Sequence, residues 1–144
     1  VVDFHTGLGP RGYGEIQFER GPNDPEYLRA QQWYDGQVTS PEDGTSTSAA
    51  ITGYMAVAIA EEAPQAERTC TALEYGTLPI DFVLGAVRAD NWLYAKGDIG
   101  SPLGSKIKRD IRDAFYGDDE KWKADILERG VEVFRKTLKG LSQS

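Results

Sequence analysis

Histidine, cysteine and methionine are nearly absent from this chain. Among its 144 residues there is one histidine (His5), one cysteine (Cys70) and one methionine (Met55). A single cysteine excludes an internal disulfide framework, and a single histidine excludes a zinc site built from two imidazoles of this chain. Because the methionine is not the first residue, we expect that Val1 is not a translation start and that residues precede it.

Long apolar runs and an excess of positive charge are also missing. No stretch approaches the ~20 apolar residues of a membrane span, and the N-terminus shows no charged-then-apolar signal pattern. The 16 lysines and arginines are outnumbered by 23 aspartates and glutamates, for a formal net charge of −7, which argues against a nucleic-acid-binding surface. We expect a soluble, cytoplasmic protein that binds neither membranes nor nucleic acid.

Enough apolar residues remain for one globular α/β domain or part of one. Hydrophobic residues make up 40% of the chain, and a domain of this length folds without disulfides or metals. Periodicity predicts strands at 1–4, 15–19 and 68–75, and helices at 26–34, 48–63, 79–95, 105–116 and 119–141. The segments 6–14 and 35–47 are predicted loops, the second a candidate lid or substrate loop. So few strands beside so many helices are typical of part of an αβα layered domain whose other strands lie upstream.

The glycine-rich segment matches half of a dinucleotide-binding fingerprint. Residues 7–12 read Gly-Leu-Gly-Pro-Arg-Gly, which satisfies G-x-G-x-x-G directly after a strand. The other half fails, because Pro10 interrupts the turn and the next segment is a predicted strand, not a helix that could receive a pyrophosphate. We therefore disfavour a nucleotide-binding enzyme and expect a loop that needs positive φ angles and a close backbone approach.

His5 directly follows the first predicted strand. The carboxyl ends of strands in open α/β sheets are where ligands bind, so His5 is a candidate ligand-binding residue. Asp3 lies two residues earlier on the same strand face, where it could support the imidazole. The alternative is a histidine that is merely hydrogen-bonded under a loop.

Glu74 closes an otherwise small and apolar strand face that it shares with Cys70 and Ala72. A carboxylate in this position is expected to be partly buried, with a raised pKa that suits a general base near neutral pH. An ion pair with Arg68 or Arg88 is the alternative. If the strands that carry His5 and Glu74 run parallel, both side chains emerge at the same edge of the sheet.

Two motifs around these residues carry a family resemblance. Residues 3–12 (Asp-Phe-His-Thr-Gly-Leu-Gly-Pro-Arg-Gly) resemble the D-x-H-T-G-x-G segment of the M14-type zinc carboxypeptidase superfamily, in its bacterial branch DUF2817. Residues 71–77 (Thr-Ala-Leu-Glu-Tyr-Gly-Thr) resemble that family's second signature, a strand that ends in the catalytic glutamate. Residues 84–92 and 109–116 are also similar to that branch, so the resemblance spans nearly the whole chain.

The resemblance implies a fold, a cofactor and roles for two residues. The fold would be α/β, a three-layer αβα zinc-carboxypeptidase-like (phosphorylase/hydrolase-like) mixed sheet, with residues 1–144 as the C-terminal part of a single catalytic domain. The family binds one zinc ion through a histidine and a glutamate three positions apart, and through a second histidine that His5 matches. Glu74 matches the general base and acid, which activates water for attack on an amide carbonyl.

The chain departs from the family pattern in its ligand set. It has no His-x-x-Glu pair, so the other zinc ligands are expected upstream of Val1, in an N-terminal half of the same protein that would be its partner. The family's arginine for the substrate carboxylate would lie there too. Arg11 and Arg88 are candidate anion-binding groups, while no tyrosine carries over, since Tyr54 falls inside a predicted helix.

Two functions follow as expectations. The first is a zinc-dependent metallohydrolase that cleaves a peptide or an N-acyl amino-acid amide by metal-activated water, with this segment inactive on its own. The alternative is a non-catalytic module that binds a ligand or partner on a hydrolase-like scaffold.

Overall fold

A computed structural model of the chain describes residues 1–53 and 55–143. These residues form an α/β structure with a four-stranded mixed, open sheet and five helices. The strands are β1 (Val2–Arg11), β2 (Glu15–Gln17), β3 (Val38–Thr39) and β4 (Thr71–Gly76). The helices are α1 (Pro25–Trp33), α2 (Met55–Glu62), α3 (Ile80–Lys96), α4 (Pro102–Phe115) and α5 (Glu120–Leu141). The α/β class predicted from the sequence is confirmed.

The strand order in the sheet is β1-β4-β2-β3. β1 pairs with β4 in parallel, β2 pairs with β4 in antiparallel fashion, and β2 pairs with β3 in parallel. The parallel pairing of β1 with β4 is the condition under which His5 and Glu74 were expected to meet. The two residues are direct partners in the register.

One face of the sheet carries the hydrophobic core. Leu73 and Tyr75 of β4 and Ile16 of β2 pack with residues of α1 and α5 in a single buried cluster that includes Tyr34 and Trp122. Removing each of these large side chains from water contributes roughly 1.5–3 kcal/mol. The polar atoms of the aromatic residues are satisfied, since the Tyr75 hydroxyl donates to the Ile126 carbonyl (3.1 Å) and Trp122 Nε1 donates to the Gly76 carbonyl (2.9 Å).

Side-chain caps fix where three of the helices begin. Asp24 accepts hydrogen bonds from the backbone N–H groups of Glu26 (2.7 Å) and Tyr27, and Pro25 occupies the first turn of α1. Ser101 caps α4 and Asp119 caps α5 in the same way. Asp119 also pairs with Arg11 at the end of β1, so the start of α5 is tied to the sheet.

The glycine-rich segment is not the loop that the sequence predicts. β1 continues as extended chain as far as Arg11, although its pairing with β4 is irregular between Thr6 and Arg11. Gly7 and Gly9 adopt φ angles of 129° and 86°, so the expected positive φ angles are present, but inside an irregular strand. The segment that follows is strand β2, which leaves the G-x-G-x-x-G match without its helix.

Other predicted boundaries also shift. The helix expected over 48–63 begins at Met55, and the predicted loop 35–47 contains the short strand β3. The strand expected over 68–75 covers Thr71–Gly76, and the helix expected over 105–116 begins earlier, at Pro102. Tyr54, which the sequence placed in a helix, lies outside the described residues. Within the described part of the chain, no helix has the length and apolar character needed to cross a membrane.

A substitution at Gly76 tests how closely the end of β1 packs on the end of β4, where Arg11 pairs with Gly76 after the irregular part of the strand pair. A Cβ atom added at Gly76 would overlap the backbone carbonyl groups of Gly9 and Pro10, which cannot move without breaking the strand. We predict that Gly76→Ala lowers the free energy of unfolding by at least about 3 kcal/mol or prevents folding. Gly85→Ala is the matched control, because nothing lies within 4 Å of that site on α3. It should stabilise by about 0.5–1 kcal/mol. Chemical denaturation measures both, and equal effects would contradict the prediction.

Candidate active site

Three polar side chains form a row across the sheet, on the face opposite the core. His5 of β1 is the register partner of Glu74 on β4, and Glu74 is the register partner of Glu15 on β2. Directly paired residues of neighbouring strands project to the same side of a sheet, so the imidazole and the two carboxylates lie side by side. Glu15 and Glu74 are buried, with 3% and 7% of their surfaces exposed.

His5 is oriented by Asp3, the residue that the sequence placed behind it. Its Nε2 atom is 2.7 Å from Asp3 Oδ2, and half of the side chain is exposed. Among the described residues, no hydrogen bond engages Nδ1. A carboxylate on one ring nitrogen fixes the tautomer and leaves the other nitrogen as the acceptor for a ligand or metal.

Glu74 is held by a single hydrogen bond from the segment after His5. The Leu8 backbone N–H donates to Glu74 Oε1 at 3.0 Å. Burial raises the pKa of the Glu74 carboxyl and the Glu15 charge raises it further, while the Leu8 N–H and His5 lower it, so that the pKa lies above the ordinary value. The alternative ion pair is not present, because Arg68 pairs with Glu26 and Arg88 lies exposed on α3.

Glu15 is a member of the row that the sequence analysis did not identify. Thr39 Oγ1 donates to its Oε1 at 2.6 Å, the Thr47 backbone N–H donates to the same oxygen at 3.0 Å, and Thr47 Oγ1 donates to Oε2. Burial raises the pKa of Glu15, but these hydrogen bonds outweigh burial and leave the pKa below its ordinary value. Alternation in residues 15–19 indicated a half-exposed strand, and no local signal marks Glu15 as buried.

Two members of the row, His5 and Glu74, face a cavity of about 470 Å³. Asp3, His5 and Glu74 line it on the sheet side. The rest of the lining is largely apolar. Ala72 lies beside Asp3 in the register of the sheet, with Cys70 just before β4. Ala49, Ile51, Met55, Ala56 and Ile59 come from α2 and the segment before it. No lysine or arginine side chain is among the described residues that line it. The structure thus brings Asp3, His5 and Glu74 together at one cavity.

The two arginine candidates lie elsewhere. Arg11 donates to the Thr77 carbonyl at 3.0 Å and pairs with Asp119, contacts that join the end of β1 to the residue after β4 and to the start of α5. Arg88 lies on the exposed surface of α3. Neither side chain lines the cavity, so the structure does not bring these two candidates to His5 and Glu74.

The described residues offer one nitrogen ligand to a metal. No cluster of three or more histidine, cysteine, aspartate or glutamate side chains arranged to hold a metal ion occurs in residues 1–53 and 55–143. The chemistry of His5 and Asp3 fits one ligand with its carboxylate support, whereas a catalytic zinc site needs three protein ligands.

Comparison with protein-family models matches residues 1–129 to one family, described as "Protein of unknown function (DUF2817)". The match covers both motifs from which the resemblance to DUF2817 was drawn and confirms that part of it. No curated protein and no solved structure matches the chain.

The raised pKa of Glu74 has a consequence for stability. Because the folded protein binds this proton more tightly than the unfolded chain, Glu74 contributes stability that is complete below its unfolded pKa of 4.5 and is lost as the pH rises through its folded pKa. Glu74→Gln keeps an acceptor for the Leu8 N–H and removes the buried charge. We predict that this variant is more stable than the wild type at pH 7 and that the difference vanishes below pH 4.5. Urea denaturation of both proteins from about pH 3.5 to 8 measures it, and a lower stability of Glu74→Gln at pH 7 would contradict it.

Proposed function

We propose that this chain, which belongs to the DUF2817 family, forms part of a zinc-dependent hydrolase that cleaves an amide bond in a peptide or an N-acyl amino acid. The observation that carries the proposal is the pairing of His5 with Glu74 on adjacent parallel strands beside a cavity. A carboxylate-supported imidazole and a buried carboxylate are the two side chains that such chemistry requires here. They come from the two motifs that resemble the M14-type zinc carboxypeptidases.

His5 would contribute one zinc ligand through Nδ1, since Asp3 already occupies Nε2. We place the remaining ligands in a His-x-x-Glu pair of the N-terminal half of the same protein, which we propose as the partner of this segment. Bound zinc would polarise the amide carbonyl and lower the pKa of the attacking water. With one ligand from the described residues, this segment alone should bind zinc weakly and be inactive.

Glu74 would move the proton during hydrolysis. Its carboxylate accepts a proton from the attacking water and delivers it to the nitrogen of the leaving amine, which requires a group that binds and releases a proton near neutral pH. The raised pKa of the buried carboxyl supports this role. The Leu8 N–H holds Oε1, and no hydrogen bond in the described part of the chain engages Oε2, which leaves that oxygen for proton exchange.

The walls of the cavity indicate which substrate group it receives. Its volume of about 470 Å³ is in the range of small-molecule sites. The part of its lining that comes from α2 and the segment before it is apolar, and the ionisable side chains of Asp, Glu or His that line it in the described residues are three carboxylates and one imidazole. We propose that an uncharged, apolar group beside the scissile amide binds here, either an acyl chain or an amino-acid side chain.

The exposed side of β1 is where the N-terminal half would pack. β1 is an edge strand of the described sheet, and its Phe4 ring is 57% exposed and stacks on Tyr75. On α5, Leu127 and Phe134 are also exposed, by 69% and 60%. Apolar surface beside an unpaired strand edge is costly in water and favours aggregation. We therefore propose that further strands and a layer of helices cover it and complete a three-layer, carboxypeptidase-like fold.

A non-catalytic binding module is the second candidate function. The largely apolar cavity and the single nitrogen ligand among the described residues favour it. Such a module would bind an apolar ligand without turning it over, whatever metal is supplied.

The first test concerns the roles of Glu74 and His5 in the full-length protein. We predict that Glu74→Gln keeps the wild-type zinc content and lowers kcat by about 10²–10⁴, the range for loss of a positioned base. His5→Ala should lose zinc as well. Glu128→Gln, on the exposed face of α5, is the control and should change neither. Steady-state assays with N-acyl amino acids and metal analysis measure both properties. Normal turnover by Glu74→Gln would refute its role, and a zinc-loaded wild type without turnover would favour the binding module.

The second test concerns the apolar cavity. In full-length protein, we predict that kcat/KM rises about fourfold for each methylene added to the group that enters the cavity, because a buried methylene contributes about 0.8 kcal/mol. Two substrate series decide it, one with growing acyl chains and one with growing amino-acid side chains. An acyl chain that ends in a carboxylate should be a poor substrate, since Asp3, Glu19 and Glu74 line the cavity. Flat responses in both series would contradict the prediction.

A further inference from the structure

The segment 40–48 forms a turn that closes largely on itself. The backbone N–H groups of Thr45 and Ser46 both donate to the Ser40 carbonyl at 3.1 Å. Ser40 N–H donates to Thr45 Oγ1 at 3.0 Å, and Glu42 N–H donates to Ser40 Oγ at 3.0 Å. These hydrogen bonds make the turn a compact unit. Its position relative to the sheet is set by the hydrogen bonds between the turn and neighbouring segments.

The residues that follow this turn form the apolar wall of the cavity. Pro41 and Ser48 line the cavity, and the wall continues through Ile51, Met55 and Ile59. No described residue of α2 is fully buried, so little side-chain packing holds this wall in place. The start of the turn is held by the Ser40 hydroxyl, which donates to the Glu19 carbonyl at 3.3 Å, and by Glu42, which accepts from the Gly21 N–H. Hydrogen bonds near residue 48 hold its other end, from which the wall continues.

Thr47 provides such bonds, and its partner is Glu15. The Thr47 backbone N–H and hydroxyl donate to the two different carboxylate oxygens of Glu15, and Gln17 Nε2 donates to Thr47 Oγ1 at 3.3 Å. Thr39 Oγ1, from β3, holds Glu15 Oε1 from the other side. An ionised carboxylate accepts on both oxygens and donates nothing, so it suits three converging donors.

We propose that Glu15 is a positioning residue, a buried anchor that fixes Thr47 and, through it, the wall of the cavity formed by Ser48, Ile51, Met55 and Ile59 relative to Glu74. This inference rests on the proposed function only where it takes the cavity as the substrate site. The anchor stands next to Glu74 in the register of the sheet. One strand pair therefore sets both the catalytic carboxylate and the wall that faces it.

Cys70 allows a test that needs no turnover. It is the only cysteine among these 144 residues, is partly exposed and lines the same cavity. Its rate of alkylation by iodoacetamide, followed by mass spectrometry on the peptide that contains Cys70, therefore reports how open the wall is. In full-length protein, we predict that Glu15→Ala raises this rate on the order of tenfold, because all three hydrogen bonds are lost. Thr47→Val should raise it less, since the backbone N–H remains. Glu15→Gln keeps an acceptor oxygen and should stay close to the wild-type rate.

Glu19→Ala is the matched control. It removes another carboxylate that lines the cavity, but the Glu19 side chain makes no hydrogen bond to the 40–48 segment in the described part of the chain. Its alkylation rate should match the wild type. Both variants remove the negative charge of Glu15, but only Glu15→Ala removes the hydrogen-bond acceptor. If both raise the alkylation rate equally, the effect comes from the charge near the thiol and not from the hydrogen bonds, which would overturn the anchor.

Two further outcomes would overturn the anchor. One is an unchanged rate in Thr47→Val, which decides the question even if Glu15→Ala fails to fold. The other is an equal acceleration in Glu19→Ala. Since no substrate is involved, a failed anchor leaves the hydrolase proposal standing, and a failed hydrolase proposal leaves the anchor standing.

Discussion

The parallel pairing of β1 with β4 is the constraint on which the rest of the structure depends. It aligns His5 with Glu74 and leaves the glycine-rich end of β1 to cross the end of β4, where Gly76 has no room for a side chain. The Gly76 carbonyl accepts from Trp122 Nε1, and Arg11 reaches the cap of α5. The contacts at the ends of β1 and β4 therefore also position α5, the helix that packs on the core face of the sheet. A change that loosens this strand pair would disturb the candidate site and the core together.

Two carboxylates that are neighbours in the sheet have opposite electrostatic environments. Glu15 receives three hydrogen bonds and its pKa is lowered, whereas Glu74 receives one and its pKa is raised. The pKa values of the two carboxyls are therefore shifted in opposite directions, and such pairs are typical of sites where one group stays charged and the other exchanges a proton. The arrangement costs stability at Glu74, because a buried carboxylate with a raised pKa weakens the fold at neutral pH. Glu15 shows that this sheet can hold a buried carboxylate ionised when enough donors surround it.

The sequence predicted the parts of this site that depend on local pattern. Strand periodicity and the i, i+2 spacing placed Asp3 and His5 on one face, and the apolar face before Gly76 marked Glu74 as partly buried. The sequence analysis did not identify Glu15 as a site residue, because the residues that surround its carboxylate, Thr39 and Thr47, lie 24 and 32 residues away in the sequence. The glycine-rich part of β1 was predicted to be a loop, since glycines with positive φ angles are compatible with both a loop and an irregular strand. What distinguishes them is the pairing of Arg11 with Gly76, a contact between distant residues that periodicity does not encode.

Charge and burial together narrow what this cavity can accept. Its described lining has three carboxylates, one imidazole and no lysine or arginine side chain, within a chain of net charge −7. An anionic group of a substrate would meet repulsion there, while a metal cation or an apolar group would not. On the proposed function, the substrate's own carboxylate must then be held by cationic side chains outside this lining. On that proposal, the same N-terminal half that would supply the zinc ligands is also the place that the family resemblance assigns to such a residue, so it would supply both groups.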